Sequence, residues 1–520
     1  MASLLKPFKG KWTAKQAAHL ARRTGFGVTP AELAVLASKG MGKAVKSRLK
    51  YVLEDTALEA LIASLPASTD NDGIKNPLTA AQLEGWWLYR MVHATNPLQQ
   101  QLALFYHDTL CSEYTKLNNA VSSRSEEGND GSIAGQQCTV PAGGLPPDPD
   151  RRRRIVARML IDQYKLFCTL GLGSYRDMLK AMLRDPAMLI YLDNKDNVKG
   201  KAQENFAREV MELFSMGVGN YTEEDVREIA RAFTGETLRT KCADNWLFDH
   251  VYDALKHDTD PKTVFGTTFN LPGPGEDADF VVDMIMSRVS NSGITPNHAT
   301  IPCTALYMSW KLVTWFVSES IPFDHPIVPE MATLFAKKGK YNVYLVLSKL
   351  FKSRFFYDEA YYYTMYKHPV DYMVTALRGL GIDDSSYTGT AYSRLRSMGL
   401  RLFEPPNVAG WNHGRAWINS GNLIIRFNYA DRLSSSTHLT DVYVDDLITA
   451  GHVTSITDND GILNYLSARL LHDTLTPEEK APFITFFDGI DGTAPSQTRY
   501  RRKVRGALHL MMTMPRYQLK

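Results

Sequence analysis

Signals for helix starts recur along this chain of 520 residues and constrain its fold more than any other sequence feature. Each signal pairs a threonine that can cap a helix with an acidic or amide side chain three residues later: Thr29 with Glu32, Thr79 with Gln82, Thr222 with Asp225 and Thr476 with Glu479. Apolar residues also recur at helical spacing through residues 83–110, apart from an interruption at Asn96-Pro97. The sequence therefore predicts a mainly α-helical protein.

Two segments depart from the helical pattern. In residues 246–269, short apolar runs flank the polar residues 257–261, which predicts a small β-hairpin with a polar tip. Residues 117–150 hold five glycines, four prolines and no aromatic residue, which predicts a flexible loop, a lid or an insertion. Because no other linker divides the chain, we expect residues 1–520 to form a single large helical domain.

Composition excludes several classes of partner. Lysine and arginine exceed aspartate and glutamate by only 59 to 56, so no overall field favours nucleic acid as a partner. No apolar stretch reaches the roughly 18 residues that a membrane-spanning helix needs, so we expect no integral membrane segment. The first residues lack the pattern of a secretory signal peptide, which predicts a cytoplasmic location.

A polar stripe is predicted on the helix around residues 204–214. At helical spacing, Asn205, Arg208, Glu209 and Glu212 share a sector of about 80°. Such a stripe could hold a metal, position a water, or use a carboxylate as general base while Arg208 clamps an anionic group. The alternative is an exposed face joined by ion pairs of Arg208 with Glu204 and Glu212.

Two histidines are candidate ligands or bases. His107 lies on a predicted helix beside Asp108, and His257 and Asp258 lie at the predicted hairpin tip. Each imidazole could bind a metal or move a proton, and the alternative for each is a structural role. If these segments converge, His107, His257, Asp258 and Glu209 would form a mixed nitrogen and oxygen site for a divalent metal.

A cluster near the C-terminal third combines aromatic and polar side chains. Trp411, His413, Arg415, Trp417 and Asn419 lie within nine residues. Two indoles at this density could stack on a sugar or a peptide, with Arg415 and Asn419 as further substrate contacts. They could equally close a corner of the core.

The chain resembles a large bacterial family called "domain of unknown function 1800". The resemblance rests on residues 17–27, Phe105-Tyr106-His107, residues 185–197, 204–212 and 217–223, His257-Asp258 with Lys262, and residues 405–419 and 514–519. It implies a mostly helical fold, an export route for many members, and a partner from a second family, "domain of unknown function 1501". The chain departs from the family pattern at Tyr106, Asp108, Gln203 and Glu236, where the family usually has Trp, Asn, Asn and Trp.

Two hypotheses of function follow. The first is a hydrolase-like or modifying enzyme for a polymeric or anionic substrate, with Glu209 or Glu212 as base or metal ligand, His107 as ligand or proton carrier, and Arg208 as clamp. The second is a non-catalytic scaffold or binding protein that acts in an assembly with a partner protein. Neither the oligomeric state nor the substrate follows from the sequence.

Overall fold

The computed structural model describes most of the chain. The described residues are 3–50, 55–66, 69–121, 150–241, 247–271, 275–289, 300–382, 392–435, 447–448, 451–490 and 496–520. The prediction of a lid, insertion or flexible loop concerns mainly residues 122–149, which lie outside this set.

The described fold is mainly α-helical, as predicted. The helices are α1 Ala14–Arg23, α2 Pro30–Ser38, α3 Met41–Arg48, α4 Thr56–Ser64, α5 Thr69–Lys75, α6 Ala80–His93, α7 Pro97–Thr109, α8 Tyr114–Ala120, α9 Arg151–Leu170, α10 Tyr175–Met182, α11 Pro186–Tyr191, α12 Glu204–Glu212, α13 Glu223–Ala232, α14 Glu276–Ser287, α15 Cys303–Phe316, α16 Ile327–Phe335, α17 Val343–Leu350, α18 Pro369–Leu380, α19 Ser420–Ser435, α20 Asn459–Leu470, α21 Pro477–Asp488 and α22 Gln497–Thr513. Short 3-10 helices cover Asn194–Asp196, Lys337–Gly339, Glu359–Tyr361, Gly414–Ile418 and Pro515–Gln518.

The predicted helix starts are confirmed at the level of hydrogen bonds. The threonines at 29, 79, 222 and 476 each cap their helix in a reciprocal capping box. A further box, formed by Thr13 and Gln16, starts α1 and was not predicted. Each box satisfies backbone N–H groups that the first helical turn leaves without partners, which fixes where the helix begins.

The small β region is confirmed, but its strands pair differently from the prediction. Strands β1 (Glu236–Lys241) and β2 (Leu247–Tyr252) form one antiparallel hairpin, and β3 (Lys262–Val264) and β4 (Thr267–Phe269) form a second. The expectation of a polar hairpin tip at residues 257–261 was therefore wrong, because this segment connects the two hairpins. Phe265 and Gly266 both have positive φ, 50° and 76°, which is the geometry of a tight two-residue turn that directs β4 back onto β3.

Helix α7 lies at the centre of the molecule. All of its residues, Pro97–Thr109, are buried, as expected for a helix with neighbours on every side. It packs against α6 and α9, and one large apolar cluster extends from Ala17 to Tyr517. Within the described residues, no helix combines the length and apolar character needed to span a bilayer.

Candidate active site

A cavity of about 210 Å³ lies beside α7 and α15. Five segments that are distant in sequence contribute its lining residues, which are Phe105, Asp108, Thr109, Trp310, Lys311, Thr314, Trp315, Glu319, Met365, Tyr366, His368, His413 and Lys520. Aromatic side chains and several ionisable groups therefore converge on one small space, which is the usual character of a ligand site.

Helical spacing explains why α7 and α15 contribute these side chains. On α15, Trp310 and Thr314 are four residues apart, and so are Lys311 and Trp315, which places all four on neighbouring rows of one face. Phe105 precedes Asp108 by one turn of α7, and its ring packs edge-on against Trp315 at 5.5 Å. The cavity thus has aromatic walls from both helices.

Asp108 and His413 form a hydrogen-bonded pair on the cavity wall. The Nε2 atom of His413 lies 3.0 Å from Oδ2 of Asp108, while Oδ1 accepts the backbone N–H of Trp411 at 2.9 Å. The side chain of Asp108 is 7% exposed and that of His413 is 44% exposed. A buried carboxylate therefore holds an imidazole that remains accessible from the cavity.

Each member of this pair changes the pKa of the other. Burial favours neutral His413, but the charge of Asp108 and its hydrogen bond outweigh burial, so the pKa of His413 is raised. Burial would likewise raise the pKa of Asp108, but the charge and hydrogen bond of His413 outweigh it and lower that pKa. Asp108 therefore stays ionised at neutral pH, and His413 titrates above its ordinary value.

Lys311 places an ammonium group in the same cavity. Burial lowers its pKa, against the opposing effect of Asp108 and Cys111. Its Nζ atom lies 5.3 Å from the centre of the Tyr307 ring. Among the described residues, no carboxylate oxygen lies within ion-pair distance of this ammonium group, so its charge is available to a ligand.

The cavity lining also includes a second carboxylate, Glu319, and Lys520, which belongs to an ionic network. Burial raises the pKa of Glu319, although the Lys520 and His413 charges oppose this effect. Lys520 contacts Asp371 Oδ2, and Asp371 also accepts a hydrogen bond from Gln101 at 2.9 Å. Asp371 is thus held by Lys520 and Gln101. Glu319 has no side-chain hydrogen bond within the described residues, but the backbone N–H of Gly414 favours its ionised form.

The segment that carries His413 is anchored to the end of α7. His107 Nε2 accepts the backbone N–H of Phe403 at 2.9 Å, and the Cys111 thiol donates to the Val408 carbonyl at 3.2 Å. Gly410, with a φ of 83°, lies so close to Asp108 that a Cβ atom would come within 2.5 Å of Oδ1. These contacts fix the approach of His413 to Asp108.

His107 has a buried, structural environment. Its ring lies 5.1 Å to 5.4 Å from those of Trp87, Phe403 and Trp411, and burial lowers its pKa to about 3. An imidazole that accepts a backbone N–H in such surroundings is neutral at physiological pH. It supports the cavity wall without lining the cavity.

The polar stripe of α12 contacts residues 221–223, at and just before the start of α13. Arg208 binds Glu223 through two hydrogen bonds of 2.7 Å and 2.8 Å, with a weaker contact of 3.4 Å to Glu204. Asn205 is exposed, and Glu212 accepts a hydrogen bond from Tyr221. Burial and the neighbouring Glu212 raise the pKa of Glu209. The pairing of Arg208 with Glu204 fits the alternative of an exposed, ion-paired face.

His257 and Asp258 belong to a network between the hairpins, α13 and α14. His257 Nδ1 lies 2.7 Å from the Thr234 carbonyl oxygen, and its Nε2 lies 3.2 Å from Asp277 Oδ2. Lys262 also pairs with Asp277 at 2.6 Å, and Asp258 pairs with Arg231 at 2.8 Å. Every one of these charges has a protein partner.

The described part of the chain does not assemble the predicted metal site. It contains no group of three or more histidine, cysteine, aspartate or glutamate side chains placed to hold a metal ion. His107 contacts the segment around Phe403, whereas His257 and Asp258 contact Asp277 and Arg231. The sequence could not show that these residues have separate contacts, because histidine, aspartate and glutamate are all suitable metal ligands wherever they lie in the chain.

The C-terminal cluster is also divided. Trp411 and Trp417 are buried, so their rings close a corner of the core and are not available for stacking on a sugar or peptide. Arg415 and Asn419 are exposed, and the Asn419 side chain accepts the backbone N–H of Asn422 at 3.0 Å, near the start of α19. His413 is the member of this cluster that lines the cavity.

The family comparison covers nearly all of the described chain. The family described as "Protein of unknown function (DUF1800)" has a model that matches residues 19–129 and 151–519. The chain belongs to this family. No curated protein and no solved structure matches it.

Several cavity residues of this DUF1800 chain were missed by sequence reasoning. Lys311 could have been identified from the sequence, because it interrupts the apolar run at residues 310–317. Lysine is rarely buried without a partner, so its presence there indicates a functional or structural role. Glu319, His368 and Lys520 gave none, since only the fold brings them to Lys311 and His413.

Proposed function

We propose that this DUF1800 chain is a hydrolase-like enzyme whose reaction takes place in the cavity beside α7 and α15. The observation that carries the proposal is the Asp108–His413 pair, with an accessible imidazole, in an aromatic-walled space of about 210 Å³. Carboxylate-bound imidazoles in such pockets commonly transfer protons. Glu209, Glu212, Arg208 and His107, which the sequence favoured, do not line this space.

In the proposed reaction, His413 is the general base and then the general acid. Its Nε2–H donates to Asp108, which leaves the lone pair on Nδ1, an atom without a hydrogen-bond partner in the described residues. Nδ1 takes a proton from an attacking water and later returns it to the leaving group. Asp108 keeps its negative charge throughout and stabilises the imidazolium that forms between the two steps.

The proposal is tested with a substrate panel and His413→Gln. The panel contains nitrophenyl esters, phosphates and glycosides and amino-acid nitroanilides, and turnover is measured on the purified full chain. Glutamine preserves a donor at the position of Nε2, so the contact with Asp108 survives, but it cannot accept the proton. We expect turnover of at least one class, with about a 10²- to 10⁴-fold loss in the variant.

A change in folding is the obvious confounding effect, so the melting temperature of each protein is measured in parallel. His452→Gln, the same substitution at an exposed position away from the cavity lining, is the matched control and keeps full turnover. Equal turnover in His413→Gln, or no turnover with any class, would contradict the proposal. Those outcomes would favour the alternative of a scaffold or binding protein.

The location and the partner of this chain stay predictions from the sequence. A partner of the 1501 family is expected from the family resemblance. Co-purification with a protein of that family, followed by the same turnover assay, tests whether the partner changes activity.

A further inference from the structure

The ionisable groups of the cavity do not all pair with one another. Asp108 pairs with His413, and Lys520 pairs with Asp371. Lys311 and Glu319 remain, and within the described residues neither makes an ion pair or a hydrogen bond to another side chain. The cavity therefore presents a cation and a carboxylate that have no ion-pair partner in the described residues, although the backbone N–H of Gly414 also favours ionised Glu319.

Unpaired charges of this kind are costly in a partly enclosed site. Burial lowers the pKa of Lys311 and raises the pKa of Glu319, so the surroundings disfavour the charged form of both groups. A ligand that carries the complementary charges would replace the lost hydration of each group. The two charges have opposite signs, so the complementary ligand needs an anionic and a cationic group.

Aromatic rings also line the cavity that contains these charges. Phe105, Trp310 and Trp315 contribute rings, and the volume is about 210 Å³. An apolar cavity of about 150 Å³ is large enough to hold benzene. A single ring with a few additional atoms therefore matches both the size and the surface of this space.

We propose that the cavity binds a small zwitterion with an apolar or aromatic body, of the amino-acid type, through Lys311 and Glu319. Lys311 binds the carboxylate of the ligand, and Glu319 binds its ammonium group. This inference rests on the proposed function, because it takes the cavity of the Asp108–His413 pair as the substrate site.

The first experiment varies the ligand and keeps the protein unchanged. Binding to the full chain is measured by isothermal titration calorimetry with L-phenylalanine, with 3-phenylpropionate, which lacks the ammonium group, and with 2-phenylethylamine, which lacks the carboxylate. We expect L-phenylalanine to bind about tenfold or more tightly than either analogue, since a charged hydrogen bond contributes about that much. Equal affinities, or no binding of L-phenylalanine, would overturn the inference.

The second experiment assigns each charge to its residue. Lys311→Met should abolish the preference for L-phenylalanine over 2-phenylethylamine, and Glu319→Gln should abolish the preference over 3-phenylpropionate. The matched controls Lys340→Met and Glu276→Gln replace exposed residues away from the cavity lining and should keep both preferences. The assignment would be overturned if both cavity variants lost the same preference. It would also be overturned if both variants kept both preferences.

The two experiments separate this inference from the proposed function. If His413→Gln abolishes turnover but no zwitterion preference exists, only the ligand class is wrong. If L-phenylalanine binds with both preferences but no substrate class is turned over, the ligand class holds and the enzyme proposal fails.

Discussion

At the scale of single residues, Asp108 has a structural contact and a proposed chemical role at once. One carboxylate oxygen accepts the backbone N–H of Trp411, and the other faces His413. The first contact fixes the segment that follows Gly410, and the second raises the pKa of His413. The same negative charge therefore positions the imidazole and sets its proton affinity.

Asp108→Asn should lower the pKa of His413. The amide preserves hydrogen-bonding atoms but removes the charge that favours the imidazolium, so burial then dominates. The pKa is measured by NMR titration of histidine-labelled protein, with the His413→Gln spectrum used to assign the resonance. Asp177→Asn, a change at an exposed position, is the control and should leave that pKa unchanged. An unchanged pKa in Asp108→Asn would show that the two groups are not coupled.

The same pair gives a signed dependence of stability on pH. His413 has a raised pKa in the folded state, so its contribution is complete below its unfolded pKa of about 6.5 and is lost as pH rises through the folded value. Asp108 has a lowered pKa, so its contribution is complete above about pH 4 and is lost as pH falls through the folded value. The difference in stability between wild type and Asp108→Asn should therefore be largest between those two limits.

At the scale of elements, the important contact joins the end of α7 to the segment of residues 403–413. The two are almost 300 residues apart in sequence, yet His107, Asp108 and Cys111 all bind backbone atoms of that segment. His107, the catalytic candidate that the sequence indicated on α7, thus binds a neighbouring backbone group. That backbone then presents His413 to the cavity.

Gly410→Ala should lower the free energy of unfolding by more than the backbone strain of a positive φ alone would. A Cβ atom at this position would meet Asp108 at 2.5 Å from Oδ1, in addition to the cost of a φ of 83°. Gly451→Ala is the matched control, because its φ is 72° and no atom lies within 4 Å of the added Cβ. We expect about 1–2 kcal/mol for the control and about 1–3 kcal/mol more for Gly410→Ala. Equal losses in urea denaturation would show that the contact with Asp108 does not matter.

At the scale of the whole molecule, the last described segment closes the core beside the cavity. Tyr517 is fully buried, donates a hydrogen bond to the Tyr372 carbonyl at 2.8 Å, and packs against the Tyr372 ring at 5.2 Å. Lys520 follows it and pairs with Asp371 next to the cavity. Packing of this segment therefore completes both the core and the site.

Tyr517→Ala should lower the free energy of unfolding by about 3–5 kcal/mol, because it leaves a cavity where a large ring was buried. Tyr517→Phe keeps the ring and removes only the hydroxyl group, so we expect a loss of about 1–2 kcal/mol. Urea denaturation of both variants measures the difference. A loss for Ala no larger than that for Phe would contradict the packing role.

The sequence predicted local structure well where the cause was local. The capping boxes at Thr29, Thr79, Thr222 and Thr476 lie where their spacing placed them, because their donors and acceptors are only three residues apart. The prediction of which strands pair within residues 246–269 was wrong. The turn at Phe265-Gly266 sets that pairing, and the sequence did not indicate it because nonglycine residues rarely take a positive φ.

The sequence by itself determined the mainly helical character, the helix starts at Thr29, Thr79, Thr222 and Thr476, the small β region and the family. Tertiary structure alone decided the candidate site, because Asp108, Lys311 and His413 lie on three segments whose meeting depends on packing and not on spacing. An imidazole and a carboxylate acquire a joint function only at hydrogen-bond distance, and one-dimensional patterns do not encode that distance across hundreds of residues. The same reason explains why His107 and His257, equally plausible on paper, have separate structural partners.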